Sequence, residues 1–359
     1  MAGLPDFLKR RIAHEGPLTI VQYMESCLAH PEFGYYMTRD PLGRAGDFIT
    51  APEISQMFGE LIGLWAAQSW QDLDSPTPFK WVEFGPGRGT LSADALRAMA
   101  QVPGLAEALQ VHLIEISPVL RGYQEQALGS WHPKWHKAVM DIPDGPGVFV
   151  ANEFFDALPV RQFIKDGCGW RERMVATDNT GGLTFTVSPR LAIDPCLPAG
   201  LGMIKDGETV EVSPASISVV RTLADRLRAD GGVALIIDYG HASSKPSYTL
   251  QAVQEHAYVP VLETPGEADL TAHVDFAELA RTALQAGADL YGPVAQGNFL
   301  KELGIEVRAQ QLCKNATPKQ RADIESALKR LTAPDTMGRL FKVMALAAPR
   351  ALAPAGFKA

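Results

Sequence analysis

The stretch Trp81-Val82-Glu83-Phe84-Gly85-Pro86-Gly87-Arg88-Gly89-Thr90-Leu91 sets a strand-sized apolar run, three closely spaced glycines and the start of a helical pattern end to end. Glycine lets the backbone turn tightly and lets a bound molecule approach the main chain without meeting a side chain. In open α/β sheets ligands bind at the carboxyl ends of the strands, which is where this loop falls. Apolar runs at Trp81 to Phe84, Val111 to Glu115, Val148 to Ala151 and Val233 to Asp238 alternate with helical stretches such as Thr90 to Ala100 and Ala215 to Ala229. That alternation predicts βαβ units on a parallel sheet. The stretch Val160 to Val212 departs from it, with turns such as Asp178-Asn179-Thr180-Gly181-Gly182 between short β-branched runs. It reads as an inserted antiparallel hairpin region.

Upstream, Pro17 to Ala29 reads as a helix, followed by a loop through Gly34, Pro41, Gly43 and Gly46. Thr50-Ala51-Pro52-Glu53 has the pattern of a capping box and predicts a helix from Ala51 to Leu73. Ile54, Met57, Phe58, Leu61, Ile62 and Trp65 would form its single core-facing stripe. Lys319 to Leu331 reads as a helix, Phe341 to Ala347 as a last strand and Pro349 to Ala359 as a frayed tail. The domain reading is a cap over 1–75, a core over 76–160 and 213–348, and a β-rich substrate region over 161–212.

The 359 residues are 46% hydrophobic and 21% charged, an ordinary globular composition. With 33 Lys+Arg against 41 Asp+Glu the net charge is −8, which disfavours a nucleic-acid partner. No apolar run approaches the roughly 18 residues of a bilayer span. The first residues resemble neither a signal nor a transit peptide, and Cys27, Cys168, Cys196 and Cys313 form no CxxC pair. Four reduced thiols in a cytosolic protein are expected. His132 and His136 flank Pro133 and read as surface histidines, so no metal site is expected.

Charge selects the ligand of the glycine loop. A dinucleotide would put a pyrophosphate near Glu83, which is repulsive, whereas the ammonium and sulfonium of S-adenosylmethionine would be attracted. The third glycine is also one position early for the dinucleotide pattern. Glu115, ending the second strand, is placed to accept hydrogen bonds from two ribose hydroxyls. Asn152-Glu153-Phe154-Phe155-Asp156-Ala157-Leu158-Pro159 packs two acids and two aromatics beyond a strand end. Paired carboxylates can hold a guanidinium, aromatic faces can stabilise a sulfonium, and a helix cap is the structural alternative. Gly46-Asp47-Phe48-Ile49-Thr50 is expected to lie over the cofactor. His273, before Val274-Asp275, could accept a proton or serve as a cap.

The segments GYYMTRDPLGRAGDFITAPEISQMFGELIGLW, VEFGPGRGTL, NEFFDALPV and PGEADLTAHVDF resemble those of the MidA-like methyltransferases, the family of the mitochondrial complex I assembly factor that methylates arginine. The resemblance runs from about Gly16 to Ala347. It implies an α/β fold with a seven-stranded, Rossmann-like doubly wound methyltransferase sheet, S-adenosyl-L-methionine as cofactor and an arginine of a complex I core subunit as substrate. One departure is Gln251 within Thr249 to His256, where the family more often shows a Leu-Arg-Gly-Tyr stretch.

On this reading Glu153 and Asp156 are catalytic. The cofactor set is Phe48, Thr50, Glu83, Gly85, Pro86, Gly87, Gly89, Glu115, Ile116, Asp141 and Asn152, and Phe154, His256 and His273 face substrate. The partner is a protein, with neither nucleic acid nor a membrane span, and the oligomeric state is open. The alternatives are a non-catalytic assembly chaperone that keeps the cofactor pocket and binds through Val160 to Val212, and a nicotinamide oxidoreductase, which Glu83 and the glycine spacing penalise.

Overall fold

A computed structural model describes residues 3–39, 50–193, 196–349 and 351–357. The alternation of apolar runs and helices resolves into one sheet, whose path runs through the strands Asp289–Ala295, Phe341–Ala347, Gly232–His241, Gly147–Asn152, Phe79–Phe84, Leu109–Ile114 and Lys134–His136. The last five pair in parallel. Phe341–Ala347 runs antiparallel to both its neighbours. The two-residue Val274–Asp275 adds a parallel pair to Gly232–His241, making the sheet eight-stranded. Central strands buried on both faces need apolar side chains throughout, which is why Phe79–Phe84 and Gly147–Asn152 read as continuous runs.

Each face of the sheet carries its own core. One holds Met57, Phe58, Ile62, Trp65, Trp81, Leu96 and Phe299. The other holds Val82, Phe149, Ile236, Leu227 and Phe276 under the helices Pro214–Asp230 and Phe276–Gln285. Outside these, the insertion forms an antiparallel sheet as expected, from Arg161–Asp166, Gly169–Thr177, Leu183–Val187 and Thr209–Val212. A three-stranded sheet is made by Ala257–Val259, Gln251–Gln254 and Asp269–Thr271.

Several local expectations are corrected. Within Pro17 to Ala29, Leu18–Thr19 is a strand that pairs with Gly169–Thr177, and the helix is Ile20–Ala29, capped by a Thr19–Gln22 box. The cap and the insertion therefore share one sheet. The helix expected over Ala51 to Leu73 breaks at Ser55 into Ala51–Ile54 and Gln56–Asp72.

The longer piece is buried well beyond a single stripe, because Gly59 and Gly63 let the helix Thr90–Met99 approach its backbone. A Cβ at Gly63 would lie 2.4 Å from the Ala95 carbonyl oxygen. Glu60, on the same helix, is held by Arg97 at 3.1 Å and Arg308 at 2.8 Å. His136 is half-buried and not a free surface histidine. Its Nε2 lies 2.9 Å from Nδ1 of buried His112, whose pKa burial pushes down to about 4. The described part of the tail, 351–357, is not frayed either: Trp65 Nε1 donates to the Ala355 carbonyl at 3.1 Å, and the Phe357 ring lies 5.3 Å from that of Phe299.

Candidate active site

Gly85, Gly87 and Gly89 all take positive φ, at 55°, 55° and 84°, a region costly for residues with a Cβ. Gly85 N–H donates to the Ile114 carbonyl at 2.9 Å, which ties the loop to the neighbouring strand, and Gly89 N–H to the Pro86 carbonyl at 2.7 Å, which closes it. It lines a cavity of about 390 Å³ together with Thr50, Glu83, Pro86, Glu115, Ile116, Asn152, Glu153 and Phe154. That volume suits a ligand of cofactor size.

Two carboxyls here are buried. Glu83 accepts a hydrogen bond from Ser92, which itself accepts from Trp81 Nε1 at 2.7 Å. Burial pushes its pKa up to about 7, and among the described residues it has no ion pair. Glu115 accepts from Ser117 N–H at 2.8 Å and Gln124 Nε2 at 3.1 Å, and burial raises its pKa. A carboxylate offers about four lone-pair sites, so acceptor capacity remains. Asn152 gives Nδ2 to Glu153 at 3.2 Å, while its buried Oδ1 has no partner. An orphaned buried acceptor in a cavity wall fits a ligand donor. The glycine loop, this acceptor and the two buried acids together fit a cationic, ribose-bearing cofactor.

The capping pattern at Thr50 serves a different purpose from the one expected. The Thr50 side chain caps nothing. Ala51 N–H donates instead to Glu153 Oε1 at 2.8 Å, and Glu53 accepts from Thr90 Oγ1 at 2.6 Å. The short helix thus bridges the acid beyond one strand to the helix start beyond another.

Glu153 itself has φ of 51°, and its N–H donates to the Ile237 carbonyl at 2.9 Å. Left-handed non-glycine residues held this way cluster at functional sites. Burial pushes its pKa up to about 7, with a further rise from Asp156. It lines the first cavity and also a second, of about 380 Å³, whose wall includes Tyr36, Asp156, Tyr239, Gln251, Asp269 and His273.

Asp156 is buried, which pushes its pKa up to about 6, and its carboxyl lies near the Tyr239 phenol. Asp238 beneath accepts from Phe155 N–H at 2.9 Å and Asp156 N–H at 3.2 Å, and burial beside Asp156 holds its pKa well above the carboxylate range.

The structure does not gather every expected residue. Asp141 is exposed, accepts from Ala138 N–H at 3.0 Å and lines neither cavity. His256 is exposed in the turn after Gln251–Gln254, with φ of 63°, and also lines neither. Gly89 closes the loop without facing the cavity. His273 lines the second cavity, its ring edge-on to Tyr239 at 5.4 Å, and burial lowers its pKa. Phe48, with Gly46, Asp47 and Ile49, lies outside the described residues. Sequence reasoning missed Tyr36, Asp238, Tyr239 and Asp269. The available signal was that Gly232–His241 carries an acid at its carboxyl end, as the run ending on Glu115 does.

A family model described as "putative S-adenosyl-L-methionine-dependent methyltransferase" matches residues 61–294. The chain belongs to this family. A crystal structure from Burkholderia thailandensis bound to S-adenosyl-homocysteine is 30% identical with a TM-score of 0.83, covering 99% of this chain and 92% of that one. The mitochondrial protein arginine methyltransferase NDUFAF7 of Danio rerio is 39% identical over 362 residues, 93% of this chain and 84% of the relative. Its counterpart in Homo sapiens is 38% identical, over 94% and 82%. The protein is a methyltransferase, and S-adenosyl-L-methionine is its cofactor.

The expectation of a cytosolic protein is corrected: these curated relatives are named as mitochondrial, which points to the mitochondrion rather than the cytoplasm. Among the described residues no helix is long and apolar enough to cross a membrane, and no group of three or more His, Cys, Asp or Glu could hold a metal ion.

Proposed function

We propose that this methyltransferase acts on an arginine of a protein, with a respiratory complex I core subunit as the acceptor. The observation that carries the reading is the position of Glu153 in the walls of both cavities. The name of its relatives, protein arginine methyltransferase, supports the same acceptor. S-adenosylmethionine, when bound, supplies an electrophilic methyl group.

On the donor side the Gly85 to Gly89 loop and Asn152 hold the amino-acid part, Glu83 balances its positive charge and Glu115 takes the ribose. Thr50, Pro86 and Ile116 close the walls. On the acceptor side Glu153 and Asp156 accept hydrogen bonds from the guanidinium and present one nitrogen toward the first cavity, so orientation supplies much of the acceleration. That nitrogen sheds a proton, and carboxyls with pKa values of about 7 and about 6 are suited to take it. Within this scheme 1–75 caps the site, 76–160 with 213–348 carries it, and 161–212 contacts the protein substrate.

Incubating the purified protein with S-adenosylmethionine and separate complex I core subunits, then mapping the products by mass spectrometry, tests this. Methyl-arginine on one subunit is expected. Transfer to lysine, or to none of them, overturns the reading.

A further inference from the structure

The second cavity is built like a sleeve with an apolar mouth and an acidic floor. Its mouth includes Tyr258, 77% exposed, and Leu340, 47% exposed, with Met337 and Phe341 alongside. Its floor collects acids from two separate elements. Glu153 and Asp156 follow the strand Gly147–Asn152, and Asp269 opens the strand Asp269–Thr271.

Each floor aspartate lies against a phenol. Tyr36 Oη donates to Asp269 Oδ1 at 2.8 Å, and the Tyr239 phenol neighbours Asp156 in the same wall. Gln251 Nε2 reaches the Tyr239 hydroxyl at 3.4 Å and Thr271 Oγ1 at 3.2 Å, which fixes that side of the wall. The described lining carries the carboxyls of Glu153, Asp156 and Asp269 together with the guanidinium of Arg330. Tyr36 and Glu153 belong to both cavities, so the floor of the second adjoins the first.

Resting on the acceptor reading above, we propose that this cavity is the acceptor site. Asp269, aimed by Tyr36, and Asp156, beside Tyr239, are the residues that select arginine over lysine. The stem of an arginine passes the apolar mouth, and its head meets acids approaching from different elements. A guanidinium presents five donors in one plane and can serve several carboxylates together. An ammonium is a compact point charge with three donors and cannot span them in the same way. Gln251 contributes as a neutral spacer: it holds Tyr239 without adding a cation that would compete for Asp156.

The test is binding, read by calorimetry on the full chain without turnover. The probes are three aza analogues of S-adenosyl-homocysteine: one unarmed, one with a 2-guanidinoethyl arm on the central nitrogen and one with a 2-aminoethyl arm. The guanidino arm should tighten binding about tenfold or more over the unarmed parent, the scale of charge-assisted hydrogen bonds, and the amino arm clearly less. Asp269→Asn and, separately, Tyr239→Phe should remove most of the gain while leaving parent affinity unchanged, which also reports that each variant is folded.

No gain in the wild type, or a gain that survives both substitutions, overturns the cavity assignment. If it survives while the subunit assay yields methyl-arginine, this inference alone fails. An amino arm that gains as much as the guanidino arm, with both gains lost in the variants, overturns the selection of arginine and with it the reading above.

Discussion

The two cavities meet at Glu153 yet are assembled by opposite means. The first draws its loop, its helix start and one acid from the continuous segment Trp81 to Leu91, with Glu115 and Asn152 added from the ends of adjacent strands. The second gathers Tyr36, Asp156, Tyr239, Gln251, Asp269 and Phe341, which are brought together only by the sheet and its crossovers. Chemistry confined to one strand–turn–helix is written locally. Chemistry at a junction of distant segments is set by topology.

The sharpest way to break the contrast is Glu153→Gln. If donor and acceptor functions divide as proposed, turnover falls by about 2 to 4 kcal/mol of transition-state stabilisation, roughly 30- to 1000-fold. Affinity for S-adenosyl-homocysteine stays the same. Loss of cofactor binding in a folded variant would move Glu153 to the donor side. Gly87→Val probes the other cavity, placing a β-branched side chain where φ is 55°. Cofactor affinity should fall by about 100-fold, close to 2.7 kcal/mol, with circular dichroism unchanged. Undiminished affinity would remove the ligand from this loop.

Both cavities also store protonation energy. Glu83 and Glu153, near pKa 7, and Asp156, near 6, all lie above their ordinary values of 4.5 and 3.8. The folded protein therefore binds more protons than the unfolded chain. This stability is fully present below about pH 4 and is lost as pH rises through 6 to 7. The melting temperature of the ligand-free protein should fall between pH 5 and pH 8, with roughly 2 to 3 kcal/mol of stability lost for each of the two glutamates. Glu83→Gln and Glu153→Gln should each flatten the slope. A melting temperature that climbs across this window would contradict the buried, uncompensated state of these acids.

These differences track what could be read in advance. The parallel strands, the glycine turn and the acid of Glu115 were legible because period, turn chemistry and strand ends are local properties. The break at Ser55 was not, since Ser55 caps the following helix through Met57 N–H at 3.2 Å inside an unbroken apolar period. The partial burial of His136 depends on its pairing with His112 across strands, and the docking of the tail depends on Trp65 and Phe299, far away in sequence. Asp269 stood inside a recognisable motif, but nothing local to it shows that Tyr36 lies 2.8 Å away.

The smallest expected effect separates a motif from its use. Thr50-Ala51-Pro52-Glu53 has the letters of a capping box, and a working threonine cap is worth about 1 kcal/mol when cut to alanine. Here the Thr50 hydroxyl makes no cap bond, the helix it would cap is only Ala51–Ile54, and its first amide is taken by Glu153. Thr50→Ala should therefore shift the denaturant midpoint by no more than about 0.5 kcal/mol, the range of substitutions away from such features. Glu53→Gln should cost more, because it weakens an acceptor that Thr90 uses at 2.6 Å and removes the charge facing Arg88 at 3.9 Å. If Thr50→Ala proves the costlier of the two, the segment is held by its cap and not by its ties to Glu153 and Thr90. The short helix would then no longer count as the bridge between the acid beyond one strand and the helix start beyond another.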